Sequence, residues 1–138
     1  MTSPDSDAPS ATASLHEMVP FAATLGIEML SSAPSEVRGR VAWAEPLCTV
    51  GGALNGGVLM ALADNTGALC AYLNLPAGSS GTTTIESKTN FLRAVTQGHA
   101  TAISRPLHAG RRVVVVETDV LDDEDRLVAR VTQTQAVL

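Results

Sequence analysis

Residues 55–73 read NGGVLMALADNTGALCAYL, and this stretch decides the fold. Val58, Leu59, Met60, Ala61, Leu62, Ala63, Ala68, Leu69, Ala71 and Leu73 leave almost no polar face. A helix that is apolar nearly all round is a buried one. Asn55 suits its N-cap, and Asn74 and Pro76 mark its end. What surrounds this helix must therefore cover it on most sides.

The flanking sequence supplies that cover as strands. Upstream, Glu36 to Trp43 alternates, with Val37, Gly39, Val41 and Trp43 on one face and Arg38, Arg40 and Ala42 on the other. Pro46 breaks the run. Gly26 to Leu30 is a candidate start of the sheet. Downstream of a Gly/Ser turn (Gly78 to Gly81), four Val- and Thr-rich runs follow, at roughly 82–92, 99–107, 112–121 and 127–137. Ala109-Gly110 and the acidic Asp122–Asp125 stretch read as hairpin connections, which make the sheet antiparallel. One antiparallel sheet wrapping one apolar helix is an α+β layer design. Residues 1–13 are low in complexity and expected to be disordered, leaving one domain over residues 14–138. A short amphipathic helix is expected from Ser14 to Ala23, on Leu15, Met18, Val19 and Ala22.

Composition narrows the function. The chain has 138 residues, 45 % of them hydrophobic but only 3 % aromatic, so small aliphatics fill one core. A formal net charge of −5 argues against non-specific nucleic-acid binding. No apolar run approaches the roughly 20 residues that span a bilayer, and the first residues show no signal peptide. Cys48 and Cys70 sit in apolar settings without metal-type spacing, which reads as reduced thiols in a cytoplasmic protein. His16, His99 and His108 are too widely spaced for a metal site. The Gly-x-Ser-x-Gly elbow and the phosphate-binding glycine loops are absent.

Three features carry chemistry. Asp64 is the one charged residue between Glu45 and Glu86, set mid-helix in the apolar run. A carboxylate there either bonds a neighbouring element or serves as a base in a dry site. Gly56-Gly57 opens the helix at a cost of roughly 2 kcal/mol in propensity against alanine. The pair either packs closely against the sheet or leaves bare N–H groups at the positive end of the helix dipole, where a thioester carbonyl could sit. Gly56 and Asp64 lie eight residues, about 12 Å, apart on one helix. They meet at one carbonyl only if two antiparallel helices pair across a two-fold axis, which gives a dimer with sites between subunits. Third, Ser87 to Val116 holds five of the nine basic residues and no acid: Lys88, Arg93, Arg105, Arg111 and Arg112. This is either a solvated strand face or a zone for the phosphates of coenzyme A. Thr84 could orient a water or a carboxylate, and His108 lies beside the Ala109-Gly110 turn.

The stretch Leu54-Asn55-Gly56-Gly57-Val58 through Leu62-Ala63-Asp64 resembles the His-Gly-Gly…Leu-Ala-Asp signature of the PaaI-like hotdog thioesterases. Asn90-Phe91-Leu92-Arg93, Gly110-Arg111-Arg112 and Arg126-Leu127-Val128-Ala129 are similar to that family too, so the resemblance covers about residues 20–138. It implies a hotdog fold, with five or six antiparallel strands around one long helix, in dimers that commonly form tetramers. It implies hydrolysis of acyl-CoA or aryl-CoA thioesters without metal or cofactor, coenzyme A being part of the substrate. Carried over, Asp64 is general base or nucleophile, the Gly56 N–H polarises the carbonyl, and Thr84 stands near the attacking water. Asn55 belongs to the catalytic set with an orienting role, while Gly57, Lys88, Arg93, His108, Arg111 and Arg112 are expected to bind the substrate. The chain departs from the family at Asn55, where the usual residue is histidine. Asparagine can cap and donate a hydrogen bond but cannot titrate near neutrality. Position 49 is Thr, where some members carry a polar amide. The competing classes are a non-catalytic acyl-CoA binding or sensing module on the same fold, and an enoyl-CoA hydratase.

Overall fold

The computed structural model describes residues 7–138. The predicted long helix is α3, Gly56–Leu73, capped by Asn55. It buries Val58, Leu59, Leu62, Ala63, Thr66, Gly67, Cys70 and Ala71. Around it runs one six-stranded sheet: β1 (Glu28–Ala33), β2 (Glu36–Ala42), β3 (Thr82–Phe91), β4 (His99–Ala109), β5 (Val113–Leu121) and β6 (Leu127–Val137). The strand order is β1-β2-β4-β5-β6-β3, and every pairing is antiparallel. This is the hotdog architecture. The strand that follows α3 in sequence thus lies at the sheet edge farthest from β1, beside the last strand.

Alternation decides which side chains meet the helix. Val37, Gly39 and Val41 of β2 are buried, as are Val114, Val116, Val120, Val128 and Val131 from β5 and β6. Each such valine or leucine contributes about 1.5–3 kcal/mol by leaving water. Two glycines let the layers approach closely. A Cβ on Gly39 would stand 2.8 Å from the Thr66 methyl, and one on Gly67 would overlap Gln133 Oε1. A chain of hydroxyls pins the layers as well. Ser104 Oγ lies 2.6 Å from Thr118 Oγ1 and donates to Thr66 Oγ1 at 2.9 Å, and Thr66 passes its proton to the Leu62 carbonyl at 3.1 Å. These groups are buried, so each needs its partner.

Cys70 lies in this layer, and burial pushes its thiol up to about 11. The folded state favours the neutral thiol, so the stability it contributes is complete at neutral pH. That contribution is lost as pH rises from the ordinary thiol value toward 11. In the native protein Cys70 is expected to resist thiol reagents, leaving the half-buried Cys48 to react alone. Thiol titration with and without denaturant checks this: two fast equivalents in the native state would contradict it.

The β5–β6 turn is held by Asp122, whose carboxylate accepts the Glu124 and Arg126 N–H groups, each at 2.9 Å, and the Arg126 guanidinium at 2.8 Å. Burial alone raises this carboxyl, but the hydrogen bonds outweigh it and hold the group below the usual carboxylate value.

The amino-terminal region differs from expectation. Residues 1–6 of the expected disordered stretch lie outside the described residues. Residues 8–13, however, are helical, within α1 (Ala8–Met18). A second helix, α2 (Pro20–Leu25), follows the break at Val19 and ends on Gly26 with φ 71°. Composition alone missed the anchoring. Thr12 Oγ1 accepts the Met29 N–H at 2.9 Å, His16 Nε2 sits 2.7 Å from the Ile27 carbonyl, and Leu15 is buried. Tertiary contacts with β1 thus fix a segment too polar to order itself. Pro20 splits what the spacing predicts as one helix, Ser14 to Ala23.

Candidate active site

Gly56, Met60 and Asp64 recur at four-residue steps, so they share the stripe of α3 that faces edge strand β3. Phe91, at the end of β3, lies over Gly56, where a Cβ would stand 3.0 Å from its ring. The glycine therefore serves close packing at the least. At the other end of the stripe Thr84 Oγ1 donates to Asp64 Oδ1 at 3.3 Å. Of the two partners expected for Thr84, a water or a carboxylate, its hydroxyl reaches the Asp64 carboxylate.

Asp64 is exposed in the single protomer, against the dry mid-helix setting expected from its neighbours. The reason is the strand order. β3 is an edge, and no strand among the described residues lies beyond it. Gln133 Nε2 donates to Asp64 Oδ1, and Gln135 Nε2 donates to Thr84 Oγ1 at 2.7 Å. Thr82 Oγ1 in turn lies 3.2 Å from Gln135 Oε1. Both glutamines are 1 % exposed. Sequence reasoning missed them, although a signal was present. Alternation along β6 places them on the inward face with Val131 and Ala129, where a polar side chain calls for a reason.

At the helix start the two expected N–H groups differ. Asn55 Oδ1 accepts the Gly57 N–H at 2.8 Å, so that group is occupied. The Gly56 N–H, first in the helix, has no intrahelical acceptor. Asn55→Ala is expected to cost about 0.5–2 kcal/mol of stability by opening the cap. A shift of the urea midpoint measures it; a midpoint equal to wild type would contradict the capping role.

The basic residues do not converge on one place. His108, Gly110, Arg111, Arg112 and Val113 line a cleft of about 690 Å³ at the β4–β5 turn. The register of β6 puts this turn at the Thr84 end of the sheet, since the Val137 N–H donates to the Arg112 carbonyl. Arg93 lies at the opposite end, past Phe91, and Lys88 sits mid-strand, bonded to Asn90. Arg105 is committed to Glu36 at 2.7 Å. Lys88, Arg93, Arg111 and Arg112 form no ion pair among the described residues. A polar cavity of about 290 Å³ between residues 94–98 and the β5–β6 turn contains no predicted site residue. Among the described residues no cluster of three or more His, Cys, Asp or Glu could hold a metal ion, and no helix is long and apolar enough to cross a membrane.

The pattern of the Thioesterase superfamily matches residues 51–129, and the chain belongs to that family. The Mycobacterium tuberculosis protein Rv1847 is 31 % identical over 130 residues, spanning 93 % of this chain and 89 % of that one. The 1,4-dihydroxy-2-naphthoyl-CoA hydrolase of Escherichia coli K12 is 30 % identical over 87 residues, 63 % of each chain. Among solved structures, thioesterase HI1161 of Haemophilus influenzae superposes with a TM-score of 0.84 at 26 % identity, covering 92 % of this chain and 90 % of that one. The PaaI protein of the E. coli phenylacetic acid degradation operon shares the fold, with a TM-score of 0.83 at 19 % identity over 99 % of this chain and 96 % of that one.

Proposed function

We propose that this thioester hydrolase cleaves an acyl- or aryl-CoA ester to free acid and coenzyme A at Asp64. The observation that carries the reading is the asymmetry of the Asp64 carboxylate. Oδ1 accepts Thr84 and Gln133, while Oδ2 has no hydrogen-bond or ion-pair partner among the described residues, and the residue is exposed in the protomer. An oriented carboxylate with one free oxygen can take a proton from water as it attacks the thioester carbon. The C–S bond then breaks, and the thiolate departs with little need of acid catalysis. Direct attack by Asp64 would instead form a mixed anhydride. Single turnover in heavy-oxygen water separates the two: label enters the first-formed acid in one and the Asp64 carboxylate in the other.

The Gly56 N–H is the electrophilic partner in this reading, supplied by a second copy of the chain. Exposed apolar side chains on and just after β3 support such pairing. Ile85 is 63 %, Phe91 51 % and Leu92 60 % exposed, on an edge strand with unpaired backbone groups. A copy docked there would cover Asp64 and dry the site. His108, Arg111 and Arg112, which share the Thr84 end, are suited to the CoA phosphates. Lys88, midway along β3, and Arg93, beyond its end, could contribute only from other places.

Release of free thiol from a panel of acyl- and aryl-CoA esters tests the proposal, with an enzyme-only blank for Cys48. Turnover on at least one ester is expected. Tight binding without thiol release would overturn it in favour of a binding module. Loss of enoyl absorbance without thiol release would favour a hydratase.

A further inference from the structure

We propose that Gln133 is the positioning residue that decides which oxygen of Asp64 reacts. The proposal rests on Asp64 being the reacting carboxylate. Gln133 projects from β6 into the helix-facing layer and is 1 % exposed. Its Nε2 donates to Asp64 Oδ1, the same oxygen that Thr84 reaches. Thr84 is itself held by Gln135. Two donors, each fixed by buried structure, thus commit Oδ1 and leave Oδ2 to receive the proton. A carboxylate held this way cannot rotate to exchange its oxygens without breaking both bonds.

Two features that work against stability have one explanation in this role. The first is the other end of the same amide: Gln133 Oε1 is buried and has no hydrogen-bond partner among the described residues. An unpaired buried carbonyl is a standing cost that an apolar residue of the same length would remove. The second is Gly67, a glycine inside a long helix, where alanine is the better helix former. Gly67 follows Asp64 by three residues, on a neighbouring part of the helix surface. A Cβ there would overlap Gln133 Oε1. The helix has a notch where the glutamine amide must fit to reach Asp64. Packing alone would be served better by Met at 133 and Ala at 67.

The test is a double-mutant cycle on the full-length enzyme, read as kcat, KM and melting temperature. Gln133→Met is expected to melt no lower than wild type, because the orphaned carbonyl is gone. Its kcat should fall about tenfold to a hundredfold, as for loss of a hydrogen bond to a charged group, with KM within about twofold. Gly67→Ala displaces the amide by an independent route, so it should lower kcat in the wild-type background and have no further effect on kcat in Gln133→Met. The proposal is overturned if Gln133→Met keeps kcat within about threefold of wild type while Asp64→Asn loses turnover. Equal kcat factors for Gly67→Ala in both backgrounds would overturn it too. If Asp64→Asn itself retains turnover, the reading of Asp64 fails first, and the positioning role falls with it.

Discussion

Asp64→Asn lowers kcat by about a hundred- to ten-thousand-fold if this carboxylate is the general base, the range such groups supply. Asparagine keeps the shape of the side chain, and its amide oxygen can still accept from Gln133 and Thr84. It loses only the capacity to take a proton. Asp64 is exposed in the protomer and forms no ion pair among the described residues, so the fold has little reason to weaken. The melting temperature is therefore expected to stay near that of wild type. Thiol release and a thermal melt on the same preparation check both halves. A kcat within tenfold of wild type would remove Asp64 from the chemistry and leave it as a contact between α3 and β3.

Gly56→Pro should cost about a hundred- to thousand-fold in kcat, the usual effect of losing one oxyanion donor. Proline suits this place. Gly56 is the first helical residue, where a fixed φ is favourable and the N–H has no role within the helix. Asn55 already has φ −59° and ψ 138°, the extended form that a following proline requires. Its cap to the Gly57 N–H is unaffected. Gly56→Ala is the control. It keeps the N–H, and the nearest atoms its Cβ would meet belong to the Phe91 ring, which is half exposed. A large loss in the proline variant and a small one in the alanine variant assign the effect to the N–H. Equal losses would assign it to packing under Phe91.

Much of this fold is legible in the sequence because its signals are local. The apolar run of α3 and its Asn55 cap fall where expected. So does the alternation of β2 and of the four strands after Gly81, to within about two residues. Three things depend on tertiary context instead. α1 is ordered by Thr12 and His16 reaching the backbone of residues 27–29, which no helical pattern announces. The position of β3 at the far edge, beside β6, is a matter of topology; it exposes Asp64 where a mid-helix carboxylate looked buried. The acid-free stretch from Ser87 to Val116 looks like one positive zone in sequence, but its strands carry Arg93 and Arg111 to opposite ends of the sheet. The candidate site was half legible. Asp64, Gly56 and Thr84 stand out as chemistry out of place, or in a familiar signature. Gln133 and Gln135 are hidden among strand residues and gain meaning only when β6 pairs with β3.

The proposed site is shared between two copies of the chain, with Asp64 from one and Gly56 from the other. Co-expressing Asp64→Asn and Gly56→Pro chains under different tags, and purifying the mixed dimer through both, tests this directly. Each parent variant has both sites damaged. The mixed dimer should have one doubly damaged site and one intact site, so it should regain about half of the wild-type activity per dimer. A mixed dimer no more active than its parents would place both groups' roles within one chain and contradict the shared site.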